Sequence, residues 1–413
     1  MEVRVAILGQ GYVGTTLAVG LERIKAGEIP AWGVPFGFPK DFLREPKLTD
    51  IKIVHSIDVD EAKVGKTLYE VAQQYFPNLR IPETLKEVRV SRGIHLGSTR
   101  GLPLKARGLE EETSLQDAVE RIVSEWEKAK VDVIVNVITT EKGPGIGNWE
   151  KLVEAIKKGG EWEGGKLPAT YAYYYAAMLY AETVKPVAFA NAIPITLARD
   201  EAAVNAAAQR NSIVLGDDGA SGATPLTSDL LEHLAERNRY VKGVVQFNIG
   251  GNLDFLALLD PERNKAKETT KSSIVKDILG YDAPHFIKPT GYLEPLGDKK
   301  FVSMHIEYIS FNGAVDEMIV NVRINDSPAL AGLLVDVIRT AKIALEHGEK
   351  GTIYEINAFF MKNPGPAGAK SISRIVAYQL LIDWLLRHEA LEKIPRYSVH
   401  TFIEDLARLR KLA

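Results

Sequence analysis

The chain has no cysteine among its 413 residues. That excludes disulfide staples, thiolate metal sites and a cysteine nucleophile. It also lacks any apolar run of transmembrane length. Net charge is only −3, so no global basic field draws nucleic acid or an anionic membrane surface. No internal repeat or low-complexity tract is visible. Met1-Glu2-Val3-Arg4-Val5 enters a strand pattern at once, with no room for a signal peptide. These absences set the expectation of a cytoplasmic protein with no nucleic-acid and no membrane partner. What remains is ordinary globular composition, 46% hydrophobic and 25% charged, enough to bury a large core in two or three domains.

Short β-branched runs alternate with helical periodicity through the first half of the chain. Val3–Leu8, residues 51–57, 131–138 and 187–192, and Ile213–Leu215 read as buried parallel strands. Helices are expected over residues 15–24, over 168–182, and from a Thr113/Gln116 capping box through residue 128. Residues 25–47, rich in Gly, Pro and aromatics, read as an inserted excursion. Residues 79–113 read as an irregular segment beside a ligand. The class is α/β, a Rossmann-type doubly wound parallel sheet. From residue 241 the pattern becomes α+β, with strands at 241–248, 301–311 and 318–324 and a hairpin signal at Asn312-Gly313. Ser327-Pro328 then opens a long helix that stops at Gly348. We expect residues 1–224 plus 330–413 to form the dinucleotide domain, and 225–329 an inserted catalytic and oligomerisation domain.

Gly9-Gln10-Gly11-Tyr12-Val13-Gly14 fits the G-x-G-x-x-G fingerprint between a strand and a helix. Gly9 permits the tight turn, Gly11 lets a pyrophosphate approach the backbone, and Gly14 lets helix pack on strand. Tyr12, Val13 and Thr139 join these glycines as candidate cofactor contacts. The acid that accepts ribose hydroxyls falls to Asp58, at the end of the second strand, with Asp60 as its rival; an acid there favours NAD.

Lys267 and Lys271 sit four apart in Lys267-Glu268-Thr269-Thr270-Lys271-Ser272-Ser273, so on a helix they share a face. An isolated pair of this kind is usually a solvated surface. Companions change its meaning. Asp218 in Gly216-Asp217-Asp218, Asp254 after Gly250-Gly251, Lys300, Asp326 and Lys362 all fall at element ends, where α/β proteins place sites. Lysines crowded in this way suit an anionic substrate whose carbonyl chemistry needs preorganised cations. His305 and Glu307 could bind a metal, but a hydrogen-bonded or solvated pair is the plainer reading. Ser221-Gly222 is not a nucleophile elbow.

These segments resemble the myo-inositol-1-phosphate synthase family, in its shorter archaeal form, over nearly the whole length. The resemblance implies NAD and glucose 6-phosphate as ligands. It implies oxidation at C5, enolisation at C6, aldol closure onto C1 and return of the hydride, giving 1D-myo-inositol 3-phosphate. It further implies that Lys267, Lys271, Lys300 and Lys362 are the essential lysines, with Asp218, Asp254 and Asp326 orienting them. A divalent metal near Asp218 and a homotetramer also follow from the resemblance. One departure stands out: the family usually has a lysine where this chain has Ala220. A dehydrogenase or cyclase acting on another sugar phosphate, or a non-catalytic NAD-binding relative, are the alternatives.

Overall fold

The computed structural model describes residues 1–261, 264, 274–395 and 398–412. Six strands form one parallel sheet: β1 (Val3–Leu8), β2 (Ile51–Asp58), β3 (Val90–Arg92), β4 (Val133–Asn136), β7 (Ala188–Asn191) and β8 (Ile213–Leu215). Between β4 and β7 the chain makes a two-residue-armed hairpin, β5 (Glu161–Trp162) with β6 (Gly165–Lys166). The spatial order is β3-β2-β1-β4-β7-β8, and every pairing is parallel. Strand order therefore reverses at β1 and β4, which opens a crevice at their carboxyl ends.

The sheet is buried on both faces because its strands are apolar on both faces. Val3, Val5 and Ile7 share one core with Leu334, Ile338 and Trp384; Ala6 and Leu8 share the other with Val119, Ile122 and Trp126. Helix α1 (Tyr12–Lys25) begins three residues before the periodicity suggested, because the glycine turn feeds straight into it with Gly11 as its cap. A helix over Leu68–Tyr75, α2, follows β2. Helix α3 (Leu115–Ala129) is capped by Ser114, whose Oγ accepts from the Asp117 N–H at 3.1 Å, so the cap is one residue later than the Thr113 expected. Strand β3 lies inside the segment read as irregular; three residues at a sheet edge are too few to give a period.

The second sheet comprises β9 (Tyr240–Gly250), β10 (His285–Tyr292), β11 (Lys299–Ile309) and β12 (Val315–Asn325), in the order β10-β9-β11-β12. Asn312 and Gly313, both at positive φ, turn β11 into β12. One face is covered: Leu231 and Leu234 of the helix Thr224–Ala235 pack with Val241, Val244 and Ile306. The opposite face leaves Phe247, Phe286 and Ile319 exposed.

The helix Asp326–Glu346 then returns to the parallel sheet, burying Leu334, Val337 and Ile338 against β1 and β4. Within it the buried Asp336–Arg339 pair holds the excursion, since Asp336 accepts from the Phe36 N–H at 2.7 Å and Arg339 donates to Asp41 at 2.5 Å. No helix of the described residues is long and apolar enough to cross a membrane.

Candidate functional site

A cavity of about 450 Å³ lies where the crevice of the parallel sheet meets the second sheet. Gly9, Gly11, Tyr12, Val13, Asp58, Thr139, Asp218, Asp254, Lys300, Asp326 and Lys362 all line it. Gly14 sits beneath. Lys267 and Lys271 fall outside the described residues.

At one end the backbone does the work. Gly9 has φ +93°, and a Cβ there would stand 2.7 Å from the Val137 carbonyl oxygen. A Cβ on Gly14 would stand 2.5 Å from the Gly9 carbonyl oxygen, whereas Gly11 faces open space. This is the cradle a pyrophosphate needs: a turn no side chain can occupy, leading into the first amides of α1. The residues present therefore fit a dinucleotide. Asp58 lies at the cavity and Asp60 does not; the latter accepts from the Ala62 N–H at 3.0 Å within its own turn.

The buried tyrosines of the helix Ala169–Thr183 have satisfied hydroxyls. Tyr173, which reaches the cavity wall, both donates to the Ile94 carbonyl and accepts from its N–H. The run is thus packing that also fastens residue 94 over the crevice.

At the other end, charged side chains meet from distant segments. Lys300 is 6% exposed and donates to Asp326 Oδ1 at 2.7 Å. Its ammonium occupies the space a side chain at Gly222 would need, 2.1 Å from the Cβ position, so Gly222 is a hole made for Lys300. Lys362 is 4% exposed and donates to Asp218 Oδ1 at 2.9 Å. Their backbones are joined too, the Lys362 N–H donating to the Asp218 carbonyl at 2.6 Å. The guanidinium of Arg374 binds the carbonyls of Ala358, Met361 and Ile372 and so fixes the loop that carries Lys362. Burial lowers the pKa of Arg374 to about 10, still far above neutrality.

The neighbouring acids have opposite fates. Asp217 points into the core, where burial pushes its pKa up to about 7 against donors from Asn191, Leu197 and Ala198. Asp218, at φ +62°, points into the cavity. Ala220 is buried, and its N–H donates to the Phe360 carbonyl, so this position offers no cation.

Three contributors were given no site role by the sequence reading. Asp298 is a hub: its carbonyl accepts from the N–H groups of Lys300 and Asp326, and its carboxylate from Ser327 and Asn252. Its position two residues before Lys300 was the available signal. Thr140 Oγ1 donates to Asp254 Oδ1 at 2.5 Å, tying the loop after β4 to the second sheet's side of the cavity. Lys63 reaches the cavity from the turn after Asp58.

At Asp218, the acid nearest the expected metal, Oδ1 is already taken by the Lys362 ammonium. His95, Glu110 and Glu111 also gather, but the Gly97 N–H donates to His95 Nδ1, which places the ring proton on Nε2 toward Glu111. That tautomer has no lone pair for a metal. His305 and Glu307 go separate ways, to Glu317 at 3.6 Å and Lys242 at 2.6 Å.

The family model described as myo-inositol-1-phosphate synthase matches residues 222–327. A solved myo-inositol-1-phosphate synthase-related protein from Thermotoga maritima is 55% identical, with a TM-score of 0.86, covering 93% of this chain and 98% of that one. The chain belongs to the myo-inositol-1-phosphate synthase family. Inositol-3-phosphate synthase of Corynebacterium glutamicum is 29% identical over 373 residues, covering 88% of this chain and 93% of the relative. The inositol-3-phosphate synthase structure from Caenorhabditis elegans, at 15% identity and a TM-score of 0.76, shares the fold. Lys300, Asp326 and Gly222 all lie in the stretch that matches the myo-inositol-1-phosphate synthase model.

Proposed function

We propose that the protein converts D-glucose 6-phosphate to 1D-myo-inositol 3-phosphate, with NAD held throughout. The observation that carries this reading is the pairing, in one cavity, of a glycine-turn dinucleotide cradle with two buried Lys–Asp couples. An ordinary dehydrogenase needs one proton carrier; a cyclisation must stabilise oxyanions at several positions of one substrate. The bound nicotinamide supplies reversible hydride acceptance at C5.

Lys300, aimed by Asp326, polarises the C5 oxygen and relays its proton. Lys362, aimed by Asp218, and Lys267 grip the phosphate or the C1 carbonyl oxygen where the aldolate charge develops. Lys271 shares the C5 role, and Asp254 orients this group from the second sheet's side. The Lys300 and Lys362 ammonium groups are held in place before charge appears, which is what makes them effective in a site shielded from water.

Incubation with glucose 6-phosphate and NAD tests the reading. Inositol phosphate should accumulate without net NADH absorbance. Net NADH would sink it in favour of a dehydrogenase, and neither product would point to another sugar phosphate or a non-catalytic relative.

We further infer a homotetramer built through the open face of β9–β12. Phe247, Phe286 and Ile319 on that face, and Phe311 at the hairpin tip, are more apolar surface than a solvated sheet carries comfortably. Ile319→Asp should lower the mass measured by light scattering; an unchanged tetramer would place the interface elsewhere.

A further inference from the structure

The acid expected to read the adenosine ribose is already occupied. Asp58 Oδ2 accepts from the Gln10 N–H at 2.9 Å and from Lys63 Nζ at 3.2 Å; Oδ1 accepts from the N–H groups of Val59 at 2.7 Å and Asp60 at 2.9 Å. A carboxylate offers about four lone-pair sites, so a ribose hydroxyl finds no free one here. The cation that faces the cavity beside Asp58 is the Lys63 ammonium, whose side chain is 10% exposed. Of its three N–H groups, Asp58 takes one, and Asp60 Oδ2, at 3.7 Å, is too far to take another by a hydrogen bond, so donor capacity remains for a ligand. Burial works against its charge, but Asp58, Tyr75 and Asp60 outweigh burial and raise its pKa, so it stays cationic.

Asp60 adds a second carboxylate, its Oδ2 3.7 Å from Lys63 Nζ, but the next ring of charge offsets it. Across the Asp60–Ala106 bridge, Lys105 pairs with Glu61, while Arg92 and Arg107 share Glu112. A dinucleotide site with an open carboxylate rejects a 2′-phosphate by repulsion and rewards hydroxyls that donate. This one presents a donor in the carboxylate's place.

We propose that Lys63 is a cofactor-reading residue, and that it lets this site bind 2′-phosphorylated nicotinamide dinucleotide as well as NAD. The inference rests on the dinucleotide reading made above and deepens it.

Calorimetric titration with NAD and with NADP, without sugar phosphate, tests it apart from catalysis. The wild-type protein should bind NADP within about tenfold of NAD. Lys63→Met should weaken NADP at least about tenfold more than NAD, and Lys63→Arg should restore the ratio. Thermal melting confirms that both variants fold. Wild type binding NAD but NADP more than about a hundredfold weaker overturns the inference alone. So does equal weakening of both ligands in Lys63→Met, the mark of a purely structural lysine. Failure to bind either ligand overturns the dinucleotide reading with it.

Discussion

At its dinucleotide end the cavity is made from a few consecutive residues, and at its charged end from residues far apart in the chain. Gly9, Gly11 and Gly14 act through backbone, by what a side chain would obstruct. Lys300 and Asp326 are 26 positions apart, and Lys362 and Asp218 are 144 apart, acting through side chains that meet only in the fold. The contrast separates two kinds of dependence. Adding an atom should ruin the first end and removing a charge the second, and each injury should leave the other end working.

The hardest blow to that contrast would come from Lys362→Met. Loss of one preorganised oxyanion donor should cut turnover by about 10²–10³, with NAD affinity within about threefold of wild type. Because a buried Asp218 would be left without its lysine, the melting temperature should fall as well, by the equivalent of ~3–5 kcal/mol. The double variant Lys362→Met/Asp218→Asn should recover the stability and not the turnover. Recovered turnover would mean that the pair only holds the fold.

Gly9→Ala tests the other end. Its positive φ and the close Val137 carbonyl should cost ~1–3 kcal/mol of stability and weaken NAD binding by about tenfold or more, while turnover at saturating NAD changes little. Unchanged NAD affinity in a folded Gly9→Ala would detach the cofactor from the glycine turn. The mildest change should be Asp298→Asn. It keeps the shape but weakens the cap on Ser327, for about 1 kcal/mol in thermal unfolding and a loss of about tenfold in turnover, with NAD binding intact. A turnover loss matched by an equal NAD loss would show Asp298 serving both ends alike.

The same contrast explains what the sequence made legible. The glycine turn is local, so its motif, its strand and its helix could all be read from residues 3–25, and Asp58 could be placed at the end of β2. The charged end could be listed but not assembled. Nothing in the chain order says that Lys300 occupies the hole left by Gly222, or that Lys362 and Asp218 bond twice. Gly297-Asp298 could be read beside Lys300, but not that Asp298 gathers Asn252, Lys300, Asp326 and Ser327 from separate segments. The short edge strand β3 was invisible for want of length, and Lys63 because its meaning depends on how fully Asp58 is already bonded.

The helix Asp326–Glu346 begins with a cavity acid and continues for 21 residues beneath the parallel sheet. Its rotation about its own axis is fixed downstream, where Leu334, Val337, Ile338 and the Asp336–Arg339 pair are buried. One residue inserted between Asp326 and Ala331 would turn Asp326 by about 100° and slide it about 1.5 Å along the axis, away from Lys300. The helix thus works like the keyed shaft of a lock. Length differences among relatives should be absorbed at the turn between β11 and β12 or after Glu346, and never within that first stretch of the rod.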